Sequence, residues 1–409
     1  MSHKETPIGR IPEDWEVVRL TDYVNILKGF AFSSKFFNEH YEGLPIIRIR
    51  DLGKNATEAY YSGPYDPAYI VEKGELLISM DGEFDIYLWN GPRGLLNQRV
   101  CKIWSKDVSK LDNIFLYYAL KKPLKLIEVQ TSQTTVKHLL DKDFQRIKIP
   151  LPPLPEQRKI AEILSTVDKA IEKVDEAIVK TERLKKGLMQ ELLTKGIGHT
   201  EFKDTEIGRI PKEWEVVRLG DICEAVGGGT PSKKRLEFWN GTIPWISPKD
   251  MQTEEIYDSQ DHITEEAVKE SSTRLIQPNS VLVVFRSGIL AKKVPIAVNR
   301  VPVAINQDLK ALTPKSNMEP NFLAYCLKAF EPAILKCVKR GSTVHSIIPE
   351  RFFNLKIPLP PLEEQQKIAE ILSTVDKKLE LERKRKENLE RIKKGLMNDL
   401  LTGRRRVKI

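Results

Sequence analysis

Apolar residues recur at alternating steps of three and four from Ile160 through Leu164, Val167, Ile171, Val174, Ile178, Leu188 and Leu192, with Thr181 and Lys185 at the interrupted places. Such spacing keeps one helix face apolar and predicts a coiled-coil seam. Pro150, Pro152, Pro153 and Pro155 precede it. They hold the chain extended and fit a first helical turn, where no amide hydrogen bond is lost; Gly196 supplies the stop. A second stretch repeats the plan with Ile368, Leu372, Val375, Leu379, Leu389, Leu396 and Leu400. There Glu382 and Lys386 stand where Val174 and Ile178 stood, so this seam is broken in its middle. Each helix would be about 60 Å long at 1.5 Å per residue. An amphipathic helix packed within its own domain is the alternative, but that length exceeds the globular mean severalfold and favours two helices packed on each other.

The same doubling runs through the chain. "IPLPPLPEQRKIAEILSTVDK" from Ile149 returns from Ile357 as "IPLPPLEEQQKIAEILSTVDK", with two differences. "IGRIPEDWEVVRL" from Ile8 returns from Ile207 as "IGRIPKEWEVVRL", and "RLKKGLMQELLTKG" from Arg183 returns from Arg391 as "RIKKGLMNDLLTGR". The chain is a tandem of two units whose constant flanks enclose diverged centres. A pseudo-twofold relating them would set the helices antiparallel and place a globular domain at each end of the rod.

The diverged centres read as mixed α/β. Short β-rich runs, "LPIIRIRDL" (44–52), "GELLISM" (74–80), "SVLVVF" (280–285) and "VPVAIN" (301–306), alternate with Gly and Pro turns. Helical patterns follow at "NIFLYYALKKPLKLIE" and "NFLAYCLKAFEPAILKCV". Element order matches between units: "LISMDGEF" aligns with "VVFRSGIL", "LLNQRV" with "AINQDL", and "QTSQTTVKHLL" with "RGSTVHSII". The expected boundaries are 1–152 for a first globular domain, 153–196 for its helix, 197–360 and 361–402 for the second pair, and 403–409 for a basic tail.

Composition narrows the function. With 409 residues, 41% hydrophobic and 30% charged, the chain can bury real cores and is neither disordered nor fibrous. No run approaches the roughly eighteen apolar residues of a membrane span, and the start lacks a signal peptide's apolar core, so a cytoplasmic location is expected. Cys101, Cys223, Cys326 and Cys337 share no metal-ligand spacing and read as reduced thiols. A net charge of +9 is compatible with a polyanionic partner.

These features resemble the specificity subunits of type I restriction-modification systems over essentially the whole chain. That family joins two target-recognition domains, each followed by a long helix beginning "PLPPLxEQxxIAxxL". "VGGGTPSKKRLEFWNGTIPWISPKDM" (226–251) is similar to the family's opening segment, and "LKGFAFSSKFFNEHYEGLPIIRIRDL" (27–52) to its alternative form. The resemblance implies a non-catalytic subunit reading double-stranded DNA. It would assemble with two modification (methyltransferase) subunits and, for cleavage, two restriction subunits. S-adenosylmethionine, ATP and Mg would sit only on those partners, with no cofactor or metal in this chain. Each recognition domain would read one half of a split target, and the helices would set half-site spacing while docking the partners. Two half-sites about one helical turn apart, roughly 34–36 Å, suit twofold-related readers. Because the domains differ, an asymmetric bipartite target is expected. The alternatives are a specificity chain of a related modification-only or other restriction system and a rod-like adaptor binding two proteins.

Base reading needs forked or planar side chains, Arg or Lys for guanine and Asn or Gln for adenine, while phosphate contacts need only charge or small donors. The candidates in the first domain are Arg48, Arg50, Lys54, Arg93, Gln98, Arg99, Gln133, Thr134 and Lys137. In the second they are Thr230, Ser232, Lys233, Lys234, Arg235, Lys249, Arg286, Lys292, Lys293, Gln307, Ser342, Thr343 and His345. His138 and His345 are expected at matching places. Apparent catalytic signals fall short. "DPAY" at 66–69 has Ala68 where adenine methyltransferases carry a second proline, and Gly227–Gly229 lacks a following Gly-Lys-Ser/Thr and reads as a turn before Thr230. Asp81, Glu83 and Asp85 read as a loop. "ERKRKENLERIKK" (382–394) and the tail "GRRRVKI" are basic; the resemblance makes them partner-docking surfaces, so deleting Gly403–Ile409 is expected to weaken assembly.

Overall fold

The computed structural model describes residues 2–131 and 137–408. It divides into two units, Met1–Asp175 with Lys384–Ile409, and Glu176–Arg383, so the division falls inside both long helices. Those helices run Leu154–Lys195 and Leu362–Leu400. Each starts just after paired prolines, where the Pro153 carbonyl accepts from the Glu156 and Gln157 amides and the Pro361 carbonyl from Glu364 and Gln365. Beyond their ends, Gly196 (φ +67°) and Gly403 (φ +69°) take the left-handed turn a side chain would oppose.

Both units are tandem domains of mixed α/β structure. In each, the constant flanks pair with one another: Glu16–Arg19 lies antiparallel to Lys148–Leu151, and Glu215–Arg218 to Lys356–Leu359. Pro150 and Pro358 are tolerated there because each pair is only two strands wide. In the first unit an antiparallel sheet runs in the order Ile86–Leu88, Leu76–Ser79, Val100–Ser105, Val24–Lys28. Leu76–Ser79 is wholly buried because both faces are covered. Leu76 and Ile78 join the helix Asn113–Gln130 and Ile160, Leu164 and Leu400 of the long helices, while Leu77 packs with Trp89 and Leu96. Val281–Val284 is the buried counterpart in the second unit, between Leu309–Pro314 and Ile296–Asn299.

Two expectations need correction. The β-rich run 44–52 is a strand only at Leu44–Ile47; Ile49–Leu52 turns helical because the Asp51 carboxylate accepts from the Arg48 amide and its Nε, both at 3.0 Å. The second helical pattern breaks into Pro320–Ala329 and Glu331–Lys336, with Pro332 in the first turn of the second piece, where it forfeits no bond. Pro123, by contrast, stays inside the unbroken Asn113–Gln130.

Within each unit, segments of both long helices meet. In the first, Asp168 pairs with Lys393 at 2.5 Å and Asp175 with Lys386 at 2.7 Å, so seven residues forward on one helix match seven back on the other. The segments there run in opposite directions. In the second unit Lys185 pairs with Asp376 at 2.5 Å and Glu182 with Arg383 at 2.8 Å. Lys185 and Lys386, breaks in the apolar seams, are thus ion-pairing positions.

A tyrosine ties each recognition domain to this ladder. Tyr118 Oη donates to Asp168 and Tyr325 Oη to Asp376, both at 2.7 Å. Around Asp376 the second unit adds Glu254, itself paired with Lys185 and Lys328. Burial, then hydrogen bonding to Glu254, pushes the Asp376 carboxyl up to about 6. Burial also raises Glu254, but its bond with Asp376 and the charges of Lys328 and Lys185 outweigh it and hold Glu254 low. A raised folded-state value means that Asp376's contribution is complete below the ordinary aspartate range and is lost as pH rises through about 6. Asp376→Asn is expected to flatten that loss of stability between about pH 4 and 6. Chemical denaturation of the full chain across this window measures it, and parallel slopes in the two proteins would refute the assignment.

Candidate nucleic-acid interface

A pair of parallel strands in each unit brings candidate readers together beyond its carboxyl end. In the first unit Leu44–Ile47 runs beside Gly94–Leu96, so Arg48 and Arg50 follow one strand and Gln98 and Arg99 the other. In the second, Ile243–Ile246 runs beside Val303–Ile305, bringing Lys249 and Gln307 to the equivalent place. A glycine crosses above each pair. A Cβ on Gly29 would lie 1.9 Å from the Asn97 carbonyl oxygen, and one on Gly228 1.9 Å from that of Ile305. None of Gly227–Gly229 has a positive φ, so at Gly228 and Gly229 close approach, rather than the turn read from sequence, demands glycine. Gly228→Ala is expected to cost about 1–3 kcal/mol by forcing the strands apart, measured by urea unfolding; an unchanged midpoint would contradict it.

The candidates differ in what their donors already do. Arg48 is half-buried and spent on Asp51. Arg235 donates to Glu237 at 2.7 Å and to Glu270, with its guanidinium 3.8 Å from the Phe238 ring centroid. Lys249 pairs with Asp261 at 2.8 Å, Arg93 with Glu72 at 3.1 Å, and Lys137 Nζ donates to the Glu128 carbonyl at 2.7 Å. Thr230 Oγ1 donates to Gln307 Oε1 at 2.6 Å, uniting two candidates from distant segments. Arg50, Lys54, Gln98, Ser232, Lys233, Lys234, Lys292, Lys293, Ser342 and Thr343 are exposed. Gln133 and Thr134 lie outside the described residues.

Tertiary pairing gathers further candidates. Asn90 N–H donates to Asn55 Oδ1 at 3.0 Å, setting the loop after Lys54 beside the one leading to Arg93. Arg286–Ser287 pairs with His345–Ile347, joining Arg286 to the Ser342–His345 segment. The bridge in the first unit is Asp81 with His138, and in the second Arg286 with Ser346. His138 therefore matches Ser346, and Lys137 matches His345, one residue away from the expected histidine pairing. The flank that follows, repeated 208 positions on from Ile149 to Ile357, carries that signal.

Two acids of the first unit's loop have basic partners. Asp81 meets His138 at 2.7 Å and Arg99 at 3.3 Å, and Asp85 meets Lys121 at 3.3 Å. Asp66 of "DPAY" caps its own turn by accepting from the Ala68 amide at 2.9 Å. Among the described residues no group of three or more His, Cys, Asp or Glu is placed to hold a metal, and no helix is long and apolar enough to cross a membrane. The four cysteines are buried and unbridged. The first unit also carries an open groove of about 1510 Å³ between Asn113–Gln130 and the last turns of the second long helix. Leu126, Ile127 and Leu401 give it apolar walls and Arg146, Lys148 and Lys394 a basic rim; none of the candidate readers lines it.

Comparison with known proteins agrees with this arrangement. The family model described as the type I restriction modification DNA specificity domain matches twice, at residues 12–180 and 211–391. The MjaVIII specificity subunit of Methanocaldococcus jannaschii, a type I restriction enzyme component, is 31% identical over 407 residues, covering 98% of this chain and 95% of that protein. The EcoR124I/EcoR124II specificity subunit of Escherichia coli is 45% identical over 177 residues, 43% of this chain and 42% of that one. In fold, the crystal structure of a type I S subunit from M. genitalium superposes with a TM-score of 0.65 at 17% identity, covering 95% of this chain and 96% of that one. Two matched domains in tandem and a relative alike along nearly its whole length place this chain in the family of type I restriction-modification DNA specificity subunits.

Proposed function

We propose that the chain is the non-catalytic reader of a type I modification and restriction complex, each recognition domain binding one half of an asymmetric, bipartite DNA target. One observation carries the reading: the two domains share their backbone plan while the exposed residues beyond their parallel strands differ. One scaffold with two surfaces suits two unlike half-sites on a duplex whose own strands are related by a dyad. The long helices act as an antiparallel coiled-coil spacer that fixes half-site separation and docks two modification subunits and, where cleavage occurs, two restriction subunits. The basic-rimmed groove and the basic stretch 382–394 are the surfaces offered to them. S-adenosylmethionine, ATP and Mg belong to those subunits.

The test is to purify the chain with the products of its genomic neighbours and map methylated adenines on DNA exposed to the complex. A split asymmetric motif is expected, changing in one half only when residues 20–147 are exchanged for those of another specificity chain. A symmetric motif would contradict the asymmetric reading, and absence of both methylation and selective binding would favour a protein-binding adaptor. Neutralising phosphate-contacting lysines should lower affinity on all sequences alike, each flattening the salt dependence by about one unit of log–log slope.

A further inference from the structure

One ion pair occurs in both domains with its charges exchanged. The Met80 amide donates to the Arg99 carbonyl at 2.9 Å, and the Phe285 amide to the Asp308 carbonyl at 2.7 Å, so Arg99 and Asp308 hold the same backbone position. Asp81 follows Met80 as Arg286 follows Phe285, and the next strand closes identically, Leu139 on Met80 and Ile347 on Phe285, both at 2.8 Å. Across this shared site Arg99 Nε lies 3.3 Å from Asp81, and Arg286 Nε 3.4 Å from Asp308. Arginine and aspartate have traded places.

From this we infer that Arg99 and Arg286 are the guanine-reading arms of the two domains, each aimed by its exchanged acid; the inference rests on the DNA-reading function proposed above. The side chains are 57% and 62% exposed, whereas their acids are 19% and 23% exposed, so the guanidinium lies over a fixed carboxylate. The nearest approach of each carboxylate is to Nε, by charge rather than by a well-aligned hydrogen bond, so the terminal nitrogens of these exposed side chains are the fork offered to guanine O6 and N7. Among the described residues neither guanidinium donates a hydrogen bond of good geometry, in contrast to Arg48 and Arg235. A carboxylate at this spot repels a phosphate but can accept from a cytosine amino group, so the pair suits base edges rather than backbone. Arg99 also holds φ at +75°, a conformation costly for a long side chain and one that sets where its arm departs. Exchanging the pair moves the fork from one side of the same spot to the other, giving one scaffold two preferences.

The experiment uses the full chain in complex with its modification subunits and a panel of duplexes, each changing one base pair of the methylated motif. Arg286→Ala is expected to lose about 10- to 100-fold discrimination at one G·C position of one half-site, leaving the other half untouched, with Arg99→Ala doing the same in the other half. Arg286→Lys should keep most affinity yet lose part of that discrimination. Asp308→Asn, a positioning change, should broaden preference at the same base pair while the thermal midpoint holds. Equal loss on every duplex, with a shallower salt dependence, would mark phosphate contacts and overturn the inference. So would an unaltered motif in Arg286→Lys and Asp308→Asn. Failure of the wild-type complex to select any sequence would instead overturn the DNA-reading function itself.

Discussion

Arg406→Ala is expected to destabilise the first unit by about 3 kcal/mol, the lower end for removing one partner of a buried ion pair. Glu156, in the first turn of the first long helix, is 0% exposed and accepts from Trp15 Nε1 at 3.0 Å. Arg406 satisfies both its oxygens, Nε to Oε1 at 2.6 Å and Nη2 to Oε2 at 2.7 Å, and reaches Asp14 with two further bonds at 2.8 Å. The hydrogen bonds from Arg406, more than any other influence, hold the Asp14 carboxyl below its ordinary value. Without the guanidinium, Glu156 Oε1 loses its donor in a site closed to water. Urea unfolding of the full chain measures the loss, and a change under about 1 kcal/mol would show that Glu156 finds another partner.

This contact changes the meaning of the basic tail. The family resemblance implies partner docking for Gly403–Ile409, but Arg406 is already used within its own unit, so deleting the tail weakens the domain whether or not it touches a partner. Arg404→Ala, at an exposed position, separates the two effects. Weakened copurification with an unchanged unfolding midpoint would assign Arg404 to docking.

Gln157→Leu and Gln365→Leu are each expected to cost about 3–6 kcal/mol, since each orphans three backbone groups at about 1–2 kcal/mol apiece. Both glutamines are 0% exposed. Gln157 accepts from the Asp112 amide at 2.9 Å and donates to the Lys110 and Pro152 carbonyls at 2.9 and 2.8 Å. Gln365 does the same with Glu319, Asn317 and Pro360 at 2.9, 3.0 and 2.8 Å. Asp112 and Glu319 cap the recognition-domain helices, so one amide side chain fastens the start of each long helix to the start of a domain helix. An amide is required because the site needs one acceptor and two donors, which neither Leu nor Glu supplies. Thermal melts of both variants read the loss; a shift under about 2 °C in either would mean that the freed groups are resolvated.

Much of this was legible in the chain itself. The repeated flanks, the helix starts after paired prolines and the glycines past their ends follow from local rules, because proline lacks a donor and glycine lacks a Cβ. The apolar strands were legible for the same reason, a run of branched residues that must be covered on both faces. The Glu-Gln of "PLPPLxEQ" showed as repetition, but not as a latch, because its partners Trp15, Asp112 and Arg406 lie far off in sequence. Lys185 and Lys386 looked like faults in a seam until the facing acids were in place.

What sequence by itself determined was the tandem plan, the long helices and the family, since each rests on local spacing or on likeness between segments. The tertiary structure alone decided which charged residues remain available to a partner. It spent Arg48, Arg235 and Arg406 on internal acids and left the Arg99 and Arg286 side chains mostly exposed. A basic residue's availability depends on the carboxylate that folding brings beside it, and that neighbour is set by strand pairing between distant segments.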